Sequence, residues 1–456
     1  QMNAYDPIEY PNFDWKGNIV KPFSSRHKHQ VSMAYGNKVI KSRTSAQYEY
    51  TDALYQGSNH ERIMARTRNT VKISKKLSGD IDFSFKHGTK NDPQTTPLQA
   101  ANMYPSIYLG LYPDGRVGPS KTGSNTLGVL MEGGNKTPTS DYITGRIALT
   151  YSPIEGLDIT GSLNPTYSFS KTKNMSKAVP YYDAYDTSLI LGYLSGHQTN
   201  DLTETRADAR SLQTNLTATY DKMFKNAHSL NVMAGYEGYS YFHESMSTGS
   251  TDMSFGSFPY LDLANKDNLS VGGTAYQNAY QSVFGRVMYN YKSRYYVQFN
   301  ARGDASSRFA PKYRWGFFPS ASAGWRISEE PFFEPAKHVM NNFKLRASFG
   351  SLGNQEVSNF AYLQTVNIYD FNTSGHYSYS FGDSTTNGKY ASLSNPVSKF
   401  LTWETAQQYD LGIDAAFFRN RLQFTGDIYM RNTVNMLVDG TKIPAVYGAS
   451  APKVNS

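Results

Sequence analysis

From Arg302 to Gln355 the chain reads RGDASSRFAPKYRWGFFPSASAGWRISEEPFFEPAKHVMNNFKLRASFGSLGNQ, and two stretches within it change polarity at every second residue. Phe317, Pro319, Ala321, Ala323 and Trp325 place small or apolar groups on one face, with Ser320, Ser322, Gly324 and Arg326 on the other. Phe343, Leu345, Ala347 and Phe349 repeat the pattern against Lys344, Arg346 and Ser348. Strands of that kind, with aromatics at both ends, suit lipid on one side and water on the other.

Composition narrows the options. A chain of 456 residues fits two or three soluble domains or one large barrel. Mean hydropathy is -0.56, and no run approaches the roughly 18 apolar residues of a spanning helix. That excludes a helical membrane protein and leaves membrane barrels, whose strands are only half apolar. Tyrosine, with 36 copies against 4 of tryptophan, suits positions with one apolar and one wet side. With no cysteine, disulfides and thiolate metal sites are out. The net charge of +8 is scattered rather than gathered on one face, which argues against nucleic acid and fits solvated loops and contact with anionic lipid head groups.

Alternating segments recur along the whole chain. Strands are expected near 28–36, 43–52, 63–73, 79–87, 142–152, 157–170, 209–220, 228–242, 278–291, 295–305, 314–327, 343–351, 402–418 and 422–434, about fourteen in all. Some connections are tight, such as Pro153-Ile154-Glu155-Gly156 and Arg419-Asn420-Arg421. Others are long, at 88–141, 171–208, 243–277 and 352–401, and too long for structureless loops in a compact soluble domain. Membrane barrels have short turns at one rim and long loops at the other, and by strand parity every long connection falls on the same side. Segment 328–342 is a medium connection on the short-turn side with room for one helical turn. No fixed repeat of 20 to 50 residues marks a propeller or solenoid.

Candidate chemistry is sparse. His243-Glu244 and His60-Glu61 lack the second histidine of a zinc-protease helix, and His27 and His29 share a strand face without a third ligand nearby. No metal, cofactor or catalytic residue is therefore assigned, and no enzymatic activity is expected. Arg302-Gly303-Asp304 spells an adhesion tripeptide but reads better as a charge cluster at a strand end. Glu329, Glu330 and Glu334 read as a solvated turn.

The tyrosine-rich loops are the candidate ligand site. Tyr104, Tyr108, Tyr112 and Asp114 lie in one loop, Tyr181, Tyr182, Asp183 and Tyr185 in a second, and Tyr377 and Tyr379 in a third. Their rings can stack on sugars or peptide side chains, with Asn102 and Asp186 adding hydrogen bonds. They can equally pack the loops together or contact a partner protein.

The segment 302–355 also resembles the barrel signature of SusC/RagA-like TonB-dependent outer-membrane transporters of the Bacteroidetes, in which "SSRF.P..R.G.FPS.S.GWRISEE" leads to "KLRAS.G..GNQ". Pro11-Asn12-Phe13-Asp14-Trp15, His29-Gln30-Val31-Ser32-Met33, Trp403-Glu404-Thr405 and Leu411-Gly412-Ile413-Asp414 are similar to further family motifs in the same order. The resemblance implies an all-β fold, a transmembrane antiparallel β-barrel of about 22 strands in the full protein. Here it has a lead-in segment at 1–27 and a partial barrel at 28–456, with the plug domain and final strands outside this sequence. Gln1 opens with no export signal and Ser456 follows no closing strand, so an interior portion of a longer chain is expected. The resemblance further implies TonB-dependent import of an oligosaccharide or peptide across the bacterial outer membrane, with a SusD-like lipoprotein lid and with TonB acting through the plug. A passive porin-like barrel and a secreted, soluble carbohydrate-binding β protein are the alternatives.

Overall fold

The computed structural model describes residues 6–121, 123–370, 389–441, 443–444, 446 and 448–456. Fourteen antiparallel strands pair in chain order in one sheet. They are β1 (Arg26–Gly36), β2 (Ile40–Asp52), β3 (Asn59–Lys72), β4 (Leu77–Pro93), β5 (Gly134–Tyr151), β6 (Leu157–Ser176), β9 (Asp201–Phe224), β10 (His228–Ser250), β11 (Leu269–Tyr291), β12 (Tyr295–Ser306), β13 (Trp315–Arg326), β14 (Met340–Asn354), β17 (Glu404–Phe417) and β18 (Leu422–Val434). Three short hairpins stand apart: β7 (Pro180–Tyr182) with β8 (Ile190–Tyr193), β15 (Val366–Asp370) with β16 (Lys389–Leu393), and β19 (Leu437–Asp439) with β20 (Lys453–Asn455). No helix among the described residues is long and apolar enough to cross a membrane.

Each of the fourteen expected strands is present, but several run further toward the long loops than their alternation suggests. β5 begins at Gly134, β6 continues to Ser176, β9 begins at Asp201 and β10 continues to Ser250. These extensions are rich in Ser, Thr, Asn and charged residues on both faces, so period-2 polarity vanishes while the backbone ladder continues. The long loops also carry structure of their own. The first holds α2 (Pro97–Met103) and α3 (Thr126–Glu132), and α1 (Trp15–Ile19) precedes β1. Segment 328–342 contains two 3-10 turns, Ile327–Glu329 and Pro331–Ala336.

The chain divides into two compact units. The first comprises 1–148, 163–212 and 241–276. Its apolar clusters sit in the loops, the lead-in helix and the strand ends beside them: Trp15, Ile19, Leu127 and Leu130 in one, Val117, Val129, Val179 and Leu194 in another, and Met175, Leu202 and Met253 in a third.

The second unit comprises 149–162, 213–240 and 277–456. Its strand registers align like residues in rows. Tyr295, Trp325, Leu345 and Ile413 form one row on the apolar face, and Val297, Ala323, Ala347, Leu411 and Ile428 form the next. On the opposite face Gln298, Ser322, Ser348 and Asp410 are aligned. Its buried cluster, Phe309, Phe318, Val357, Leu401 and Trp403, lies at the long-loop ends of β12, β13, β14 and β17.

Tight turns close with left-handed residues. Lys225-Asn226 and Lys292-Ser293 are consecutive pairs with positive φ, the twist that suits a two-stranded ladder, and Phe418-Arg419-Asn420 are three in a row. The β5–β6 turn closes on Gly156 at φ +83°, where a Cβ would overlap the Asp221 carbonyl oxygen. Gly156→Ala is therefore expected to cost about 1–3 kcal/mol, read as a lower denaturant midpoint in refolding from urea into lipid.

Candidate functional site

The loops after β4 and β6 meet in the first unit, and an arginine joins them. The chain turns back through Pro113-Asp114-Gly115, with Leu111 bridging to Val117 and Gly115 at φ +90°. Asp114 accepts from the Arg116 backbone N–H at 3.0 Å and from its Nε at 2.6 Å. These bonds, the backbone one foremost, hold the Asp114 carboxyl below the usual carboxylate range. Arg116 then crosses to the second loop, where Nη1 donates to the Asp183 carbonyl at 2.7 Å and Nη2 to that of Ala184 at 3.3 Å. Its guanidinium lies 5.1 Å from the Tyr112 ring centroid and 6.0 Å from that of Tyr182. Tyr112, itself buried, donates its hydroxyl to the Tyr182 carbonyl at 3.1 Å.

Arg116 thus gathers Tyr112, Asp114, Tyr182 and Asp183 of the expected set. The Asp183 carboxylate also accepts the backbone N–H groups of Asp186 and Tyr185, and these two bonds lower its pKa. Tyr181 packs against the cluster around Val117 and Val179 and lies close over Gly192, where a Cβ would crowd its hydroxyl.

Tyr104 and Tyr108 face elsewhere, toward the lead-in segment. Tyr104 stacks on Trp15 at 4.6 Å, and the Trp15 indole N–H donates to the Tyr108 carbonyl at 3.1 Å. Tyr185 differs from the others in being 68% exposed, tethered through its hydroxyl to Glu9 at 3.1 Å. Leu189, Ile190, Leu191 and Tyr193 are exposed beside it on the β7–β8 hairpin. Tyr377 and Tyr379 lie outside the described residues.

Asn125 escaped the sequence reading and organises the first loop. Its Nδ2 donates to the Gly110 and Gly118 carbonyls at 2.6 and 2.8 Å, and its Oδ1 caps α3 through the Gly128 N–H. A buried Asn before a short apolar helix fits an N-cap, but the two carbonyls that bracket Tyr112 and Asp114 are joined only by tertiary folding.

On the polar face of the second unit, Arg346 sits between Gly324 and Gly412 of the neighbouring strands. Its guanidinium pairs with Asp414 and Asp427, each at 2.8 Å. A Cβ on Gly412 would overlap both Asp427 and the guanidinium, so the glycine clears the path between them. Gly412→Ala is expected to remove the Arg346–Asp427 coupling in a double-mutant cycle, with under about 1 kcal/mol of stability because the pair is partly solvated.

The remaining charged motifs are engaged internally. Arg302 bonds Asp304 at 2.7 Å and Ser282 at 2.8 Å within the paired strands, so the Arg-Gly-Asp triplet is part of the sheet. Glu330 is nearly buried, accepting from the Tyr295 hydroxyl and from the Trp325 indole at 3.1 Å, and pairing with Arg294 at 3.3 Å. These partners, Tyr295 first, lower its carboxyl pKa. Among the described residues no three His, Cys, Asp or Glu side chains are grouped to hold a metal ion.

Comparison with known proteins adds an independent line. The family model for the TonB-dependent receptor-like β-barrel matches residues 79–455. The chain is 28% identical over 443 residues to TonB-dependent receptor P3 of Formosa agariphila, covering 93% of this chain and 41% of that protein. It is 27% identical over 461 residues to TonB-dependent receptor SusC of Bacteroides thetaiotaomicron, covering 95% and 43%. The RagAB peptide transporter structure superposes with a TM-score of 0.80 at 20% identity, over 97% of this chain and 48% of that one. The chain thus spans less than half the length of these relatives.

Proposed function

The chain belongs to the TonB-dependent receptor-like β-barrel family of the bacterial outer membrane, and from that premise we propose that the whole protein imports a large nutrient, an oligosaccharide or peptide, using force delivered by TonB. TonB is proposed to act through a plug domain of the whole protein, and this chain spans less than half the length of the relatives it matches. A SusD-like lipoprotein is the proposed lid. SusC is among the relatives by name, and the exposed apolar hairpin around Tyr185 and Leu189–Leu191 offers a protein partner its kind of surface.

The observation that carries this reading is the match to the TonB-dependent receptor-like β-barrel over residues 79–455, which favours an energised importer over a passive pore. The Arg116 junction adds two loops joined side by side, where a cargo could be met. Cargo contact is proposed at Tyr104, Tyr108, Asp114, Tyr181, Tyr182, Asp183, Tyr185, Tyr377 and Tyr379, with the buried Tyr112 holding the loops in place and the exposed Tyr185 ring as the leading stacking surface. The RagAB structures are of a peptide transporter, which favours peptide as the first cargo to try.

The test is uptake of fluorescent oligopeptide and oligosaccharide pools by cells carrying the full-length gene, with and without a working TonB. Uptake of one pool that is lost without TonB is expected. Uptake that persists without TonB would establish the passive pore instead.

A further inference from the structure

We propose that the polar face of strands β1, β2, β3 and β4 guides an acidic peptide through the barrel, an inference that rests on the importer reading above and gives its cargo a charge. Alternation leaves Ile63, Ala65, Phe83 and Phe85 on one face of these strands, the face that meets lipid in a membrane barrel, so the other lines the lumen. All ten lysines and arginines of the four strands lie on that lumenal face, against four aspartates and glutamates. Positive charge that looks scattered along the sequence is gathered here by strand register. Six successive cross-strand levels each carry at least one cation, from Arg26 and Lys90 toward the long loop to Lys41 beside the short β1–β2 turn.

The carboxylates on this face are already engaged. Glu49 holds Arg26 at 2.6 Å and Arg62 at 3.5 Å, Asp82 holds Arg66 at 2.6 Å, and Asp92 holds Lys90 at 2.8 Å. Asp80 accepts from the Thr70 hydroxyl at 2.6 Å. Lys28, Arg43, Arg68 and Lys86 form no ion pair among the described residues. Arg43 and Arg68, both exposed, oppose each other directly across β2 and β3, a like-charge pair that costs stability until an anion neutralises it. Arg62 also keeps a buried Nε with no hydrogen-bond partner among the described residues. In the second unit the proportions are reversed: Arg302 pairs with Asp304 at 2.7 Å and Glu237 at 3.7 Å, and Arg346 with Asp414 and Asp427, each at 2.8 Å. There two carboxylates serve one arginine, whereas Glu49 is one carboxylate serving two.

Spacing selects a peptide. Levels two residues apart recur about every 6.7 Å, and an extended peptide places every second side chain at the same pitch. Aspartates or glutamates at alternate positions therefore meet one cationic level after another. From the first level to the sixth is about 33 Å of strand, which at a tilt near 45° climbs roughly 23 Å of the ~30 Å hydrocarbon core. Each solvated charge contact is weak on its own, so the segment is held at every level and still released to the next.

The test is uptake of two fluorescent oligopeptides of equal length, one with aspartate at alternate positions and one with asparagine there, by cells carrying the full-length gene and a working TonB. Oligogalacturonate, an acidic oligosaccharide, is the third probe. Wild type is expected to take up the acidic peptide about fivefold faster than the neutral one, with the difference shrinking as salt rises. Arg43→Gln with Arg68→Gln should lower that ratio about fivefold, the loss of two partly solvated charge contacts. Removing a like-charge pair relieves the sheet, so this variant is expected to fold. If it does not, Lys28→Gln, checked for native strand content, should lower the ratio about twofold. Equal uptake of both peptides by wild type, or an unchanged ratio in the folded variant, would overturn the inference. Equal loss of both peptides in the variant would do the same, because the cations would then hold the barrel's own parts rather than cargo. Uptake of the oligosaccharide in place of the peptides, or of none of the three, would also overturn it, whereas the importer reading fails only if the mixed pools enter without TonB.

Discussion

Asn125→Ala should collapse the loop that follows β4 while leaving the sheet intact. The substitution leaves two carbonyls and one N–H without the buried partner they now share. Each such group costs about 1–3 kcal/mol, so the loop is expected to lose at least 3 kcal/mol of local stability. Hydrogen exchange should show this as lost protection across 110–128, with the amides of β12–β14 unchanged. Asn125→Asp separates the two roles, because it retains the acceptor that caps α3 but removes both donors. It should preserve protection at Gly128 and lose it around Arg116. If the alanine variant exchanges like wild type, Asn125 does not hold the loop. Because Gly110 and Gly118 bracket Tyr112 and Asp114, cargo uptake by the full-length variant should fall with the protection.

Trp403→Ala should be the most damaging single change in the second unit. Its ring packs 5.5 Å from Phe309 and 5.4 Å from Phe318, and its indole N–H donates to the Arg314 carbonyl at 2.7 Å. Loss of a buried aromatic of this size costs about 3–5 kcal/mol. Denaturant titration of the lipid-refolded protein measures it, and Trp403→Phe should recover most of the packing but not the hydrogen bond. A loss below 1 kcal/mol for the alanine variant would show that the cluster does not tie the strand ends together. The cluster also accounts for several glycines of the signature. A Cβ on Gly316 or Gly353 would run into the Phe318 ring, so both must stay bare for the phenylalanine to meet Trp403 edge to face.

The strands were legible because lipid and water on opposite faces force a two-residue period, and that period survives wherever one face meets lipid. Phe317 and Trp325 on the apolar side and Ser322 and Ser348 on the polar side sit where alternation puts them. Strand ends were not legible, because beyond the bilayer both faces are wet and β9 or β10 continues through Thr, Glu, Ser and Arg without a polarity signal. The loop site was half legible. Its tyrosines stood out by density, but the residues that position them, Arg116 and Asn125, are polar side chains whose partners lie as far as 68 residues away. Density alone does not separate Tyr185, which faces solvent, from Tyr112, which is spent on holding two loops together. The glutamate of the SEE triplet was likewise read as solvated, whereas Glu330 ties the Trp325 and Tyr295 rings to Arg294.

Strand β9 is 24 residues long, and a membrane crossing takes about 9–11. At about 3.3 Å per residue and a tilt near 45° it rises roughly 55 Å, against a hydrocarbon core of about 30 Å. Nearly half of its residues therefore stand clear of the oil. The loop it carries is thereby lifted clear of the head groups, beyond the crowding of the lipid layer itself.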